Sequence, residues 1–149
     1  MLAEPSEIRA LAHRVRAQGA ATSAAAEALA ARARGIGWTG LAGAAMVGRT
    51  LGQARILHEI AEQHDEVARA LEAHATAVEE SLALIAEIER RVHAATAAAR
   101  GRVHRFLDGL LDSLDPVDDA LARFVPPPPG SPDWLHVRLP GLSLPGIGR

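Results

Sequence analysis

Leu57, His64, Leu71, Val78, Ile85 and Val92 recur at intervals of seven, and Ile60, Val67, His74, Ser81, Ile88 and Ala95 hold a second position of the same repeat. Seven residues are close to two helical turns, so this pattern draws one apolar edge along a long helix. Six heptads on one edge are a strong signal for a long, bundle-forming helix. A narrower repeat precedes it. Ile8, Val15, Thr22, Leu29 and Ile36 recur by seven, with Leu11, Gln18 and Ala25 in the companion slots. Ala12, Gly19, Ala26 and Ala33 widen that face with small side chains. The two patterns predict a first helix over 6–34 and a second from near Leu41. Pro5, Ser6 and Glu7 suit the start of the first, and Gly35, Gly37 and Gly40 end it. A connection this short cannot carry the chain elsewhere, so the helices must be antiparallel neighbours.

Composition agrees with thin, closely packed helices. The chain has 32 alanines but only two Phe, two Trp and no Tyr, so a thick aromatic core is excluded. Alanine favours the helix and buries little area. With no cysteine, disulfides and thiolate chemistry are excluded too. The net charge is −2, and all sixteen basic residues are arginines scattered among acids. The densest basic run, "RGRVHR" at 100–105, is short and followed by acids, which argues against nucleic-acid binding. The N-terminus shows no charged region leading into an apolar one, so no cleavable signal is expected. The longest uncharged stretch, Gly35 to Gly48, is fourteen residues and glycine-rich, too short and too poor in bulk for stable membrane insertion.

Past Val92 the phase of the stripe moves. Val103, Leu107, Leu110 and Leu114 resume it with Gly101 at the junction, which predicts a stutter or bend. "DPVDDALARF" then starts a short helix, with Asp115 as N-cap and Pro116 at its first position. Residues 126–149 hold seven of the nine prolines and read as a flexible, extended tail, with Trp134 either an incidental aromatic or a short motif that binds a partner or packs on the bundle. The expected organisation is a hairpin over 1–100, a helical extension over 101–125 and a Pro/Gly-rich tail over 126–149. The fold class is all-α: an antiparallel helical hairpin with a long second helix, a short third helix and that tail.

Helix lengths imply a surplus edge. A first helix of this length, at 1.5 Å per residue, reaches about 43 Å back from the turn and covers the second only to about residue 75. Val78, Leu82, Ile85, Ile88 and Val92 lie beyond it. Burying them is worth roughly 7–15 kcal/mol as an upper bound. Either residues 103–124 fold over them or another chain does. The expected partner-binding stripe is therefore Leu57, Ile60, Val67, Leu71, Val78, Leu82, Ile85, Ile88 and Val92, serving a homodimer or heterodimer.

No constellation points to catalysis. "HEIAEQH" (58–64) fails as a zinc-protease motif, because Glu62 stands where the second histidine is needed. His64 and His74 read as polar interruptions that fix register, with a pH switch as the functional alternative. Glu79, Glu80, Glu87, Glu89, Arg90 and Arg91 read as a solvated face. No serine lies in a nucleophile elbow, and no glycine loop follows a strand to cradle phosphate. No catalytic residue, metal or cofactor is expected.

"WTGLAGAAM" (38–46), placed at the turn between two heptad helices, resembles the WXG-type family of type VII (ESX) secretion proteins. The Trp-x-Gly falls on Trp38, Thr39 and Gly40, and the small residues that follow on Ala42, Ala44 and Ala45. The opening "EPSEIRALAHRVR" and the alanine-rich first helix resemble actinobacterial members. The resemblance covers about residues 4–100. It implies a non-enzymatic substrate or escort that pairs with another helical secretion protein, is cytoplasmic before export, and becomes secreted or envelope-associated without a Sec signal. His104 and Asp108 match the first half of the family's C-terminal export signal. The second half would place a tyrosine at Val117 and an acid at Leu121, and the chain lacks both there. Two other readings stand beside this one: a coiled-coil scaffold or adaptor inside the cell, and a membrane-active amphipathic protein, which the thin apolar stripe and near-zero net charge disfavour.

Overall fold

The computed structural model describes residues 4–146, and those residues form an all-α chain. Helix α1 spans Pro5–Gly35, α2 spans Gly40–Leu107 and α3 spans Pro116–Ala122, and a short 3-10 turn follows at Pro132–His136. The chain divides into two compact units, one covering Ala3–Ala77 and another that begins at Val78.

In the first unit α1 and α2 form the antiparallel hairpin. Pro5 occupies the first turn of α1, where its missing N–H costs nothing, and Arg32 and Arg34 sit in the last turn against the negative end of the helix dipole. Gly37 (φ 65°) and Gly40 (φ 81°) take the left-handed backbone that the reversal needs. The antiparallel register is fixed by Arg16 bonding Glu72, Gly19 lying against Ala61 and His64, and Ser23 meeting His58.

The seam is built of alanine. Ala12, Gly19, Ala26 and Ala33 are buried on α1, and Ala54, Ala61, Ala68 and Ala75 on α2. A Cβ on Gly19 would stand 2.9 Å from His64 Cβ and 3.2 Å from the Ala61 carbonyl oxygen, so the two backbones are in near contact. This corrects the expected seam of α2. Leu57, His64 and Leu71 are only half-buried beside the alanine column, while Ile60, Val67 and His74 are exposed. Two helices this close have no room for leucine between them.

The second unit holds the rest of α2. Gly101 does not end it; the helix continues to Leu107. It stops at Gly109 (φ 71°), where Leu110 N–H donates to Arg105 O at 2.9 Å and Gly109 N–H to Phe106 O at 3.0 Å. That pair of bonds is a Schellman closure around a left-handed glycine. The stripe therefore does not run helically to Leu110 and Leu114 as the spacing suggested. Helix α3 starts as expected: the Asp115 side chain accepts from Val117 N at 2.8 Å, and Pro116 takes the first turn. Arg102 docks α3 on α2 by a two-pronged bond to Asp118, 2.6 Å at each prong.

The largest correction concerns the tail. Residues 124–146 are not a loose extension but a strap on α2. Trp134 is fully buried with Ile85, Ile88 and Val92, joined by Val137 and Leu144, and Phe124, Leu135, Leu139 and Leu142 pack around them. Proline already restricts the unfolded strap, so ordering it costs less entropy than for a flexible tail, and its leucines, valine and tryptophan supply the buried area.

Candidate interaction surfaces

The hairpin has two unlike flanks. Residues four positions after the seam alanines carry polar groups. Arg16 bonds both Glu72 oxygens at 2.7 and 3.1 Å and lies 4.0 Å from Asp65, while Ser23 Oγ is 3.4 Å from His58 Nδ1. The Arg16 hydrogen bond holds the Glu72 carboxyl below its ordinary range. The opposite flank, three and six positions after the seam, is richer in apolar side chains, with Val15, Leu29, Leu57, Ile60, Val67 and Leu71 set among Gln18, Thr22, His64 and His74. There Val15, Gln63, His64 and Val67 line one shallow cavity of about 330 Å³. Leu11, Ile60 and Val67 are 41%, 36% and 51% exposed. His64 turns its Nδ1–H onto the Ile60 carbonyl at 2.7 Å. That bond occupies one ring nitrogen within its own helix.

At the turn, Trp38 and Gly40 stand where the sequence placed them. Trp38 is 49% exposed and lies beside the first turn of α2. Gly43 makes this position possible: a Cβ there would come within 2.9 Å of Trp38 Cβ and 3.1 Å of its carbonyl carbon.

The expected partner-binding residues divide into two groups. Leu57, Ile60, Val67 and Leu71 lie on the apolar flank of the hairpin. Val78, Ile85, Ile88 and Val92 are buried, with Leu82 half-buried beside them. The chain's own strap covers Ile85, Ile88 and Val92, so in this structure they are not open to another chain. Trp134 is locked there: its Nε1–H donates to Pro128 O at 2.9 Å, and its ring tilts over His93 with centroids 5.7 Å apart.

His104 and Asp108 face each other across the end of α2, with His104 Nε2 3.4 Å from Asp108 Oδ2. His104 also rims a groove of about 680 Å³ floored by Val103, Phe106, Leu107 and Leu114. Comparison of the chain with protein-family models, curated proteins and solved structures gives no match. Among the described residues no group of three His, Asp or Glu side chains is placed to hold a metal ion, and no helix is long and apolar enough to cross a membrane.

Two features escaped the sequence reading. The alanine column Ala54, Ala61, Ala68 and Ala75 is itself a heptad repeat, visible once small residues are counted as knobs. The apolar spacing that continues from Trp134 through Val137, Leu142 and Leu144 was masked by the prolines around it.

Proposed function

We propose that this chain is a non-enzymatic WXG-type protein of type VII secretion, a substrate or an escort, that works by pairing its helical hairpin with another helical protein. The observation that carries the pairing is the asymmetry of the hairpin. One flank is satisfied by Arg16, Asp65, Glu72, Ser23 and His58. The other leaves Leu11 on α1 and Ile60 and Val67 on α2 partly exposed, and apolar side chains open to solvent beside polar groups mark an interaction surface. Pairing two such hairpins flank to flank makes a four-helix bundle. The family assignment rests on the Trp38-Thr39-Gly40 turn between two heptad helices.

Two measurements test this. Sedimentation should give a concentration-dependent dimer, alone or with a co-expressed helical partner, and Val67→Glu with Ile60→Glu should abolish it while helicity stays. In a host with a type VII apparatus the protein should reach the medium only when the secretion ATPase is intact. A monomer at all concentrations with every candidate partner would overturn the pairing. Export that ignores the ATPase would overturn the secretion role.

A further inference from the structure

We propose that the hairpin tip docks on a membrane surface rich in anionic lipid headgroups. The site is separate from the pairing flank and does not depend on the function proposed above. Three large apolar side chains stand in water at the turn. Leu41 is 93% exposed and Ile36 49% exposed, with Trp38 half-exposed between them in sequence. The turn that carries them stands clear of the rest of the hairpin: a Cβ on Gly35, Gly37 or Gly40 would meet nothing within 4 Å. The tip therefore projects as a convex point. A tryptophan there offers an apolar body and a polar indole N–H, the two properties that suit the boundary between headgroups and acyl chains.

The charge around the tip has one sign. From Ala28 to His58 the chain carries Arg32, Arg34, Arg49 and Arg55 and no acid, in a protein with 18 acids among its 149 residues. The near-zero charge of the whole chain hides this local excess. All four arginines are exposed, and among the described residues none of them is in an ion pair. The helix dipole explains Arg32 and Arg34 at the end of α1, but not Arg49 and Arg55. The start of α2 shows the same bias. Its positive end would be steadied by an acid in the first turn, and the first turn has none. Local stability does not select this pattern; a negatively charged partner does. An acidic protein would meet the charge, yet a convex tip of Ile, Trp and Leu then needs a pocket shaped to hold it. A fluid lipid interface takes up such side chains without a shaped pocket and supplies the negative surface for the arginines. No described helix is long and apolar enough to cross a membrane, so the contact is interfacial docking of an end-on hairpin. At 1.5 Å per residue, Arg32 and Arg34 lie within about 5 Å of the α1 end, and Arg49 about 13 Å from the α2 start. The surface field fades over about 8 Å, so Arg32 and Arg34 carry most of the attraction.

The test uses the full chain and two kinds of vesicle, phosphatidylglycerol mixed with phosphatidylcholine and phosphatidylcholine alone, read by co-sedimentation. The protein should bind the mixed vesicles, less as salt rises, and bind phosphatidylcholine alone about tenfold more weakly or worse. Arg32→Gln with Arg34→Gln should weaken binding about 25-fold, at about fivefold for each arginine at the surface. Arg49→Gln should cost less than either. Leu41→Glu should abolish binding while circular dichroism keeps the helical signal, because an acid in the first turn suits the start of α2. The proposal falls if both kinds of vesicle bind equally, or if the arginine pair or Leu41→Glu leaves binding unchanged. It also falls if the protein ignores vesicles; salt-sensitive retention on immobilised poly-glutamate would then assign the tip to an acidic protein instead. Val67→Glu with Ile60→Glu should leave vesicle binding intact. Loss in that variant would move the lipid contact to the flank and overturn the tip as its site. Failure of vesicle binding leaves the pairing and secretion reading untouched.

Discussion

The two units solve the burial problem on the same helix in opposite ways. In the hairpin, α2 meets α1 through Ala54, Ala61, Ala68 and Ala75, and the fit comes from bringing backbones together. Beyond Val78, α2 meets the strap through Ile85, Ile88 and Val92, and the fit comes from filling volume around Trp134. The backbone of α1 comes so close, with Gly19 against Ala61 and His64, that only methyl groups fit between the helices. The strap lies further off and leaves space that large side chains fill. Side-chain size along α2 therefore records how closely the opposing backbone approaches.

The largest effect expected from this contrast is at Trp134. Trp134→Ala should cost about 3–5 kcal/mol, because it empties the centre of a large-side-chain core. Ala68→Gly in the alanine seam should cost only about 1 kcal/mol, mostly helix propensity. Native-state hydrogen exchange would show the first loss confined to amides after Val78. Equal losses, or losses spread evenly along α2, would break the comparison. Next in size is Gly19→Val. Its Cβ would press on the Ala61 carbonyl, a backbone atom that cannot swing aside. Overpacking of this kind costs about 1–3 kcal/mol, and urea unfolding of the hairpin should read it. A neutral result would mean that the helices are not held in near contact.

Much of the hairpin was legible. The heptads, the glycine break and the helix lengths placed the limit of α1 coverage near residue 75, and the first unit ends at Ala77. Asp115 and Pro116 announced α3 because a cap is a local device whose chemistry depends on neighbours in sequence. What could not be read depended on contacts distant in sequence. Leu57 and Ile60 looked like the seam because they are large, yet the seam went to alanines whose value appears only when another backbone approaches. The strap read as loose because proline and glycine dominate it, although the same prolines lower its ordering cost. Gly109 as a helix stop was overlooked, since Leu110 and Leu114 appeared to continue the stripe.

Smaller effects sharpen the comparison at the edges of each unit. Asp115→Ala removes the side-chain acceptor for Val117 N and should cost about 1 kcal/mol. It should destabilise α3 alone, so protection of hairpin amides should stay unchanged. A variant in which the hairpin amides also lose protection would show that the two units are not separable by local opening.

The smallest effect is the acid response, and its sign follows from the ion pairs. Hydrogen bonding from Arg16 lowers the Glu72 pKa in the hairpin, and hydrogen bonding from Arg102 lowers the Asp118 pKa in the second unit. A carboxyl whose folded pKa is depressed adds stability above its unfolded pKa and loses it as pH falls through the folded value. Both contributions should therefore be complete at neutral pH and fade only below about pH 4. The two should differ in salt. The Glu72 side chain is 48% exposed and that of Asp118 14%, so added salt should weaken the hairpin pair more. Carboxyl titration by NMR at low and high salt would show Glu72 moving toward its ordinary range while Asp118 moves less. Equal movement would mean that Asp118 is as open to solvent as Glu72, and that α3 docks on α2 less closely than its two 2.6 Å bonds require.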